Sequence, residues 1–406
     1  MPNKLESDPR GQATEKFQPL MEWLISEQLT RVRTSLLFDG FCRKLLEIGL
    51  PVARATIHIR QLDPQLRARS QVWELAAGGA VEIVRHHGVE QSDAYLLSPI
   101  YRVMEGLGSF RCQLSGDLGE APLPVLEELK DRGYTDYLAL PLAFSSFANN
   151  VITFATDLPE GFSAEVCSDL EQCLPFLALL LERRHHQKTA EQLLDTYIGP
   201  STGRRVLSGE IKRGDGGPIN AVIWACDLRN FTGISETQPF DRVIALLNTY
   251  FDAVGKPIAD NGGEILKFIG DAVLAIFPIK DSPEQACQAA LKAAKAAFAN
   301  AGSLRGKLRD YPDDPPTFGI ALHLGDVMYG NIGTANRLDF TVIGPAVNLV
   351  SRMEALAARF DPPLVLSAEV ARHCPSPTRS IGYHQFKGIQ GEKEVFTLAT
   401  CAEKPL

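Results

Sequence analysis

Glu264-Ile-Leu-Lys-Phe-Ile-Gly-Asp-Ala-Val-Leu-Ala-Ile-Phe277 is two short apolar runs joined at Gly270-Asp271, with the turn residues Asn261-Gly-Gly263 just ahead. That pattern predicts a β-hairpin with Asp271 at its tip. Upstream, Ala221-Val-Ile-Trp-Ala-Cys226 is apolar almost throughout, as a buried central strand is, and it ends on Asp227. Leu-Arg-Asn-Phe-Thr-Gly233 follows as a turn, and a helix is expected from about Pro239 to Lys256. If the hairpin lies beside the first strand, Asp227 and Asp271 stand together. A carboxylate pair without neighbouring Cys or His ligands suits oxygen-seeking Mg²⁺ or Mn²⁺, held largely through substrate phosphates.

Downstream, Phe318 to Gly333 is strand-like with glycines read as turns, and Arg337-Leu-Asp-Phe-Thr-Val-Ile-Gly344 is a further strand. Pro345-Ala-Val-Asn-Leu-Val-Ser-Arg-Met-Glu354 then reads as a helix opened by proline. Asn348 and Arg352 are four residues apart and share one face.

Taken together, these positions resemble the class III nucleotidyl cyclase catalytic domain. Lys267 and Asp271 fall forty and forty-four residues after Asp227, and Thr341, Asn348 and Arg352 follow one another at gaps of seven and four. The words GGEILKFIGDAVLAIF and LDFTVIGPAVNLVSRME are close to the family's forms, and the likeness runs from about Ile219 to Leu398. The resemblance implies a ferredoxin-like domain acting as a head-to-tail homodimer. Asp227 and Asp271 of one copy would hold two Mg²⁺ or Mn²⁺ ions, and Lys267, Thr341, Asn348 and Arg352 would come from the other. Asn348 would orient the ribose, Arg352 would offset charge on the α-phosphoryl oxygens, and Asn230, Phe231, Thr232 and Gly233 would cradle the phosphates. Lys387, in Phe386-Lys-Gly388, is a candidate for the terminal phosphates. A Lys–Thr pair matches the acceptor nitrogen and amino group of adenine, so ATP is the expected substrate and 3′,5′-cyclic AMP the product.

Three other readings differ in what they need. A catalytically silent relative would bind nucleotide or dimerise without needing all six side chains, and a guanylate cyclase of this family uses Glu and Cys-like residues to read the base. Diguanylate cyclases need Gly-Gly-Asp/Glu-Glu-Phe, whereas Ile265-Leu266 follow Gly262-Gly-Glu264 here. Within the pattern, Asn230 stands where the family usually has Gly, and Pro345 where it usually has Asp. Asn tolerates positive φ better than most residues, and Pro suits a first helical turn.

The first half alternates differently. Met21 to Leu50 has helical spacing, and Ala55 to Arg60, Gln71 to Leu75 and Val81 to Val84 read as a strand meander. Strands over Ser109 to Leu114, Tyr137 to Phe144 and Asn150 to Thr156 follow, with short helices near Pro99 to Met104 and Pro122 to Arg132, and a long helix starts near Ser163. This layout resembles a GAF- or PAS-like sensor, which implies an unidentified small-molecule or protein regulator. His58, His86 and His87 read as structural or solvated, not as metal ligands. Gly199-Pro200 ends the long helix, and the basic, Gly-rich Ser201 to Gly217 reads as a linker. The expected organisation is therefore mixed α/β of the α+β kind: a sensory domain over 1–183, a helical linker over 184–217 and a catalytic domain over 218–400.

Composition agrees with two folded domains: 406 residues, 45% hydrophobic and 22% charged. The 41 basic and 49 acidic residues give a net charge of −8, which argues against a nucleic-acid partner. Eight cysteines without a CxxC pair suggest thiols in a reducing compartment. The opening MPNKLESDPRGQATEKF has no apolar stretch, and the longest apolar run, Leu174 to Leu181, contains Pro175 and is far short of the roughly 20 residues of a span. A cytoplasmic protein without a membrane span is the expectation.

Overall fold

The computed structural model describes residues 9–26, 32–118, 123–145, 150–307 and 317–403. The chain divides into two compact units, 1–193 and 194–406.

The first unit contains α1 (Pro9–Leu24), α2 (Thr34–Glu47), β1 (Arg54–Arg60), β2 (Leu66–Glu74) and β3 (Gly79–His86), then α3 (Asp93–Leu96), α4 (Pro99–Met104) and β4 (Phe110–Gln113). It continues with α5 (Pro124–Asp131), β5 (Asp136–Leu142), β6 (Asn150–Thr156) and α6 (Ala164–Ile198), whose last five residues count with the second unit. The helix expected over Met21 to Leu50 is two helices instead, and 27–31 and 122 lie outside the described residues. Six antiparallel strands form one sheet in the order β3-β2-β1-β6-β5-β4. Strand alternation sorts its faces. Ala55, Ile57, Ile59, Trp73, Leu138, Ile152 and Phe154 bury against α1, α2 and α6. Tyr137, Ala139, Val151 and Ala155 form a smaller core with α4 and α5 on the other face.

The second unit contains α7 (Pro200–Leu207), β7 (Gly216–Leu228), α8 (Phe231–Thr237), α9 (Phe240–Asp260), β8 (Glu264–Ile269), β9 (Ala272–Pro278) and α10 (Pro283–Lys307). After these come β10 (Phe318–Gly333), β11 (Leu338–Ile343), α11 (Pro345–Glu354), β12 (Phe360–Asp361), β13 (Leu364–Ser367), α12 (Ala368–Arg372), β14 (Thr378–Gln385), β15 (Glu392–Leu398) and β16 (Ala402–Glu403). The main sheet runs β14-β15-β13-β10-β7-β9-β8, with β11 paired to β10. Its β7-α9-β8-β9-α10-β10 segment, ordered β10-β7-β9-β8, is the ferredoxin-like split βαβ arrangement. Central β7 buries every residue from Ala221 to Cys226, which is why that stretch is apolar without alternation.

Two readings of this half change. The glycines of 318–333 are not turns: β10 is one continuous strand, and Gly330 lies so close to Asp215 that a Cβ there would fall 2.3 Å from its carbonyl oxygen. The segment after Gly199-Pro200 is also more than a linker, because α7 packs on this unit. Thr202 is buried with its hydroxyl 3.1 Å from both Glu264 Oε1 and the Tyr329 hydroxyl, and the Arg205 guanidinium lies over the Tyr329 and Phe340 rings.

Candidate active site

Asp227 sits at the end of β7 and Asp271 follows Gly270 in the β8–β9 turn. Because β9 pairs with β7, Cys226 opposite Val273, the hairpin tip arrives beside the strand end. The two carboxyls share a hydrogen bond. Burial, then that bond and the negative charge of Asp227, pushes Asp271 up to about 7. The Leu228 backbone N–H donates to Asp227 Oδ1 at 3.1 Å and helps fix it.

Beneath them lies a pair to which the sequence reading gave no role. Arg229 Nη2 is 2.7 Å from Glu354 Oε1, at the end of α11, and also donates to the Glu354 carbonyl at 3.2 Å. Glu354 is buried, and burial lifts its pKa to about 7 against the pull of Arg229, with Asp227 and Asp271 adding to the rise. Gly319, opposite Asp227 in the β7–β10 ladder, makes room for this pair. A Cβ there would stand 1.9 Å from Arg229 Nη2 and 2.4 Å from Glu354 Oε1. The only advance signal was the charge of Arg229 in the Leu-Arg-Asn-Phe-Thr-Gly233 turn and of Glu354 at the end of LDFTVIGPAVNLVSRME.

The turn after β7 is built by Asn230 in the left-handed conformation, φ 57° and ψ 24°, the conformation its Gly-like position requires. It leads into α8 with Phe231 partly buried against the core, Thr232 exposed and Gly233 packed so that a Cβ would meet Asn230 Oδ1 at 2.8 Å. The N–H groups of this first turn have no partner within the helix.

Lys267 and Thr341 occupy a different place. Lys267 Nζ lies 2.5 Å from Asp339 Oδ2, on β11, and Thr341 is two residues further along the same face of that strand. Thr341 is 5% exposed, and its hydroxyl has no hydrogen-bond partner among the described residues. A buried hydroxyl orphaned among the described residues, on the strand whose Asp339 meets an ammonium, is an arrangement that a bound heterocycle with donor and acceptor edges would satisfy. Asp339 was not anticipated, although it stands in the Leu-Asp-Phe-Thr word itself.

Asn348 and Arg352 are exposed on α11, whereas Glu354, two residues beyond Arg352, is buried toward the carboxylates. A two-residue step is about 200° around a helix, so the face carrying Asn348 and Arg352 is turned away from Asp227 and Asp271 in the same chain. Arg352 instead neighbours the turn after β14, its Nη2 lying 3.9 Å from the Cβ position of Gly388, next to exposed Lys387. The structure thus gathers Asp227 with Asp271, Lys267 with Asp339 on the strand that also carries Thr341, and Arg352 with the Lys387 turn.

The donor set fits divalent cations. Two half-buried carboxylates close enough to share a proton concentrate negative charge that Mg²⁺ or Mn²⁺ relieves, and oxygen is their preferred ligand. Among the described residues no group of three or more His, Cys, Asp or Glu is disposed to hold a metal. Phosphate and water oxygens would have to complete the coordination. All eight cysteines are free, and among the described residues no helix is long and apolar enough to cross a membrane.

Known proteins agree with this half of the chain. Residues 220–387 match the family described as adenylate and guanylate cyclase catalytic domain. The adenylate cyclase of Anabaena cylindrica is 34% identical over 158 residues, 38% of this chain and 31% of that protein. Adenylate cyclase 1 of Rhizobium meliloti is 32% identical over 178 residues, 42% of this chain and 26% of that protein. The terminal-differentiation specific adenylate cyclase of Dictyostelium discoideum is 37% identical over 147 residues, 36% of this chain and 7% of that protein. The chain therefore spans less than a third of the length of these relatives. A solved bacterial light-regulated adenylyl cyclase is 28% identical, with a TM-score of 0.47 over 56% of this chain and 65% of that one. From the family match and the fold on which it falls, the second unit carries a class III adenylate/guanylate cyclase catalytic domain.

Proposed function

We propose that the protein is an adenylate cyclase that converts ATP to 3′,5′-cyclic AMP and pyrophosphate in a homodimer, under the control of its first unit. The observation that carries the reading is the Asp227–Asp271 pair, two carboxyls brought within hydrogen-bonding reach where β7 and the β8–β9 turn converge. Two divalent metal ions bound there would lower the pKa of the ribose 3′-hydroxyl and neutralise the triphosphate and its pyrophosphate leaving group. Asp227 and Asp271 hold that charge in place, and Arg229 with Glu354 braces the strand end from below. The first-turn N–H groups at Phe231 to Gly233 donate to phosphate oxygens.

Lys267 and Thr341 recognise the base. The ammonium donates to a ring nitrogen of adenine, and the hydroxyl accepts from the exocyclic amine, ending its own isolation. Guanine offers the reverse pattern at those positions, which favours ATP over GTP. Asn348 orients the ribose by hydrogen bonding, and Arg352 meets the charge that builds on the α-phosphoryl oxygens. Lys387, beside Arg352, meets the terminal phosphates. Since the Asn348–Arg352 face is turned away from the carboxylates of its own chain, each site takes these residues from the second copy, and two copies make two sites.

The test is to incubate the purified full chain with ATP or GTP and Mg²⁺ or Mn²⁺ and to separate the products. Cyclic AMP from ATP, abolished in Asp271→Asn, is the expected result. Cyclic GMP alone would transfer the reading to a guanylate cyclase. Nucleotide binding without either product would identify a silent relative.

A further inference from the structure

The first unit contains a cavity of about 550 Å³, in the range that buries a small organic ligand, and its floor is the outer half of the sheet. One face of that sheet is divided. Beneath α4 and α5 the β5–β6 half is filled with apolar side chains, but the β1–β2 half presents Thr56, His58 and Ser70, joined by Thr153 of β6. Thr56, Ser70 and Thr153 are each 3% exposed or less. Packing alone would place Val, Ile or Leu there, because burying hydroxyls and an imidazole gains nothing that an apolar core would not gain more cheaply.

These four groups form a hydrogen-bonded row. Ser70 Oγ is 2.8 Å from His58 Nδ1, His58 Nε2 is 2.9 Å from Thr56 Oγ1, and Thr56 Oγ1 is 2.6 Å from Thr153 Oγ1. Burial, with the charges of Arg54 and Arg85, holds His58 down to about 3, so the ring is neutral and carries a single proton. The Tyr137 hydroxyl extends the row by pairing with Thr153, so four bonds link five groups that each bring one proton, and one proton is left with no acceptor in the row.

Charge around the cavity points the same way. Its acids are all engaged: Glu74 with Arg54 and Arg132, Glu128 with Arg132, and Glu90 with the Gly88 N–H. Arg60 is paired with Glu105 outside the lining. Arg67 and Arg85 also line the cavity, and neither forms an ion pair with a described residue, although the charge of Arg67 acts on Glu90. Val72, Ile83, Ile100 and Met104 supply an apolar wall.

We propose that this cavity binds a small organic anion whose apolar, ring-sized body packs on that wall, with its acceptor atoms against the Ser70–His58–Thr56–Thr153 row and its charge toward Arg67 and Arg85. The site gives the regulator expected at the first unit a chemical class. It is read by binding and not by turnover, so its failure would leave the cyclase reading intact.

The probe is 8-anilinonaphthalene-1-sulfonate, an aromatic anion, titrated by fluorescence into the full-length protein. A saturable single site is expected, displaced by 2-naphthoate and not by the neutral 2-naphthamide. Val72→Trp, which fills the cavity, and the double substitution Arg67→Gln with Arg85→Gln should each weaken dye binding at least tenfold. Arg183→Gln, an exposed cation away from the cavity lining, should leave it unchanged. Circular dichroism and thermal melting check that each variant folds, and Ala68→Leu replaces Val72→Trp if the larger side chain is not accepted. Unsaturable dye binding, equal displacement by the amide, or undiminished affinity in both the filled and the charge-depleted variants would overturn the proposal.

Discussion

At the scale of single residues, Thr341 separates stability from function. Its hydroxyl is buried without a partner among the described residues, an arrangement that costs about 1–3 kcal/mol in a folded protein. Valine keeps the shape and removes the hydroxyl. Thr341→Val should therefore raise stability by about 1 kcal/mol, seen as a higher melting temperature, while the KM for ATP rises by roughly three- to tenfold, the loss of one hydrogen bond. A structural role for the hydroxyl would give the opposite sign on stability, and an unchanged KM would remove Thr341 from base recognition. Asn230 makes a related point: an ordinary side chain was expected to need positive φ at this turn, and it has φ 57°.

At the scale of elements, Gly319 couples β10 to the support beneath the carboxylates. An alanine Cβ there cannot coexist with the Arg229–Glu354 pair as placed, so Gly319→Ala should displace the guanidinium and leave a largely buried carboxylate exposed to its like-charged neighbours. Breaking such a pair costs roughly 3–5 kcal/mol when fully buried; with Arg229 still partly solvated, a loss of about 3 kcal/mol is expected from urea unfolding midpoints. Adding Arg229→Met and Glu354→Leu to the same chain should recover most of that stability but not the activity. If Gly319→Ala is neutral alone, the pair has no such strength. This coupling also marks the boundary of what the sequence makes legible. The hairpin at Gly270-Asp271 and the apolar β7 could be read because each is a local pattern with its own period and turn. The Arg229–Glu354 and Lys267–Asp339 pairs could not, because they join residues 125 and 72 positions apart through strand register, which composition and spacing do not encode. The continuous β10 was misread for a similar reason. Its glycines serve close approach between strands, and a glycine that is required by a neighbour looks in sequence like a glycine that is required by a turn.

At the scale of the whole molecule, a net charge of −8 and the proposed polyphosphate substrate are compatible only if charge is arranged locally. The second unit arranges it in separate groups: the Asp227 and Asp271 carboxylates at one place, and Lys267 and the Arg352–Lys387 neighbourhood elsewhere. α11 directs Glu354 inward and Asn348 and Arg352 outward, which in the proposed homodimer makes the groups of one copy complementary to those of another. This geometry can be tested by complementation. Asp227→Ala and Asn348→Ala chains should each be inactive as homodimers. When the two are unfolded together and refolded, or coexpressed, random pairing makes half the dimers mixed. Each mixed dimer holds one site built from the intact Asp227 of one chain and the intact Asn348 of the other, so the mixture should recover about a quarter of the wild-type rate of cyclic AMP formation. A site assembled within a single chain would recover nothing, even with mixed dimers demonstrated by differential tagging. Recovery well above a quarter would mean that the two sites of a dimer are not independent, with one intact site working faster beside a disabled one.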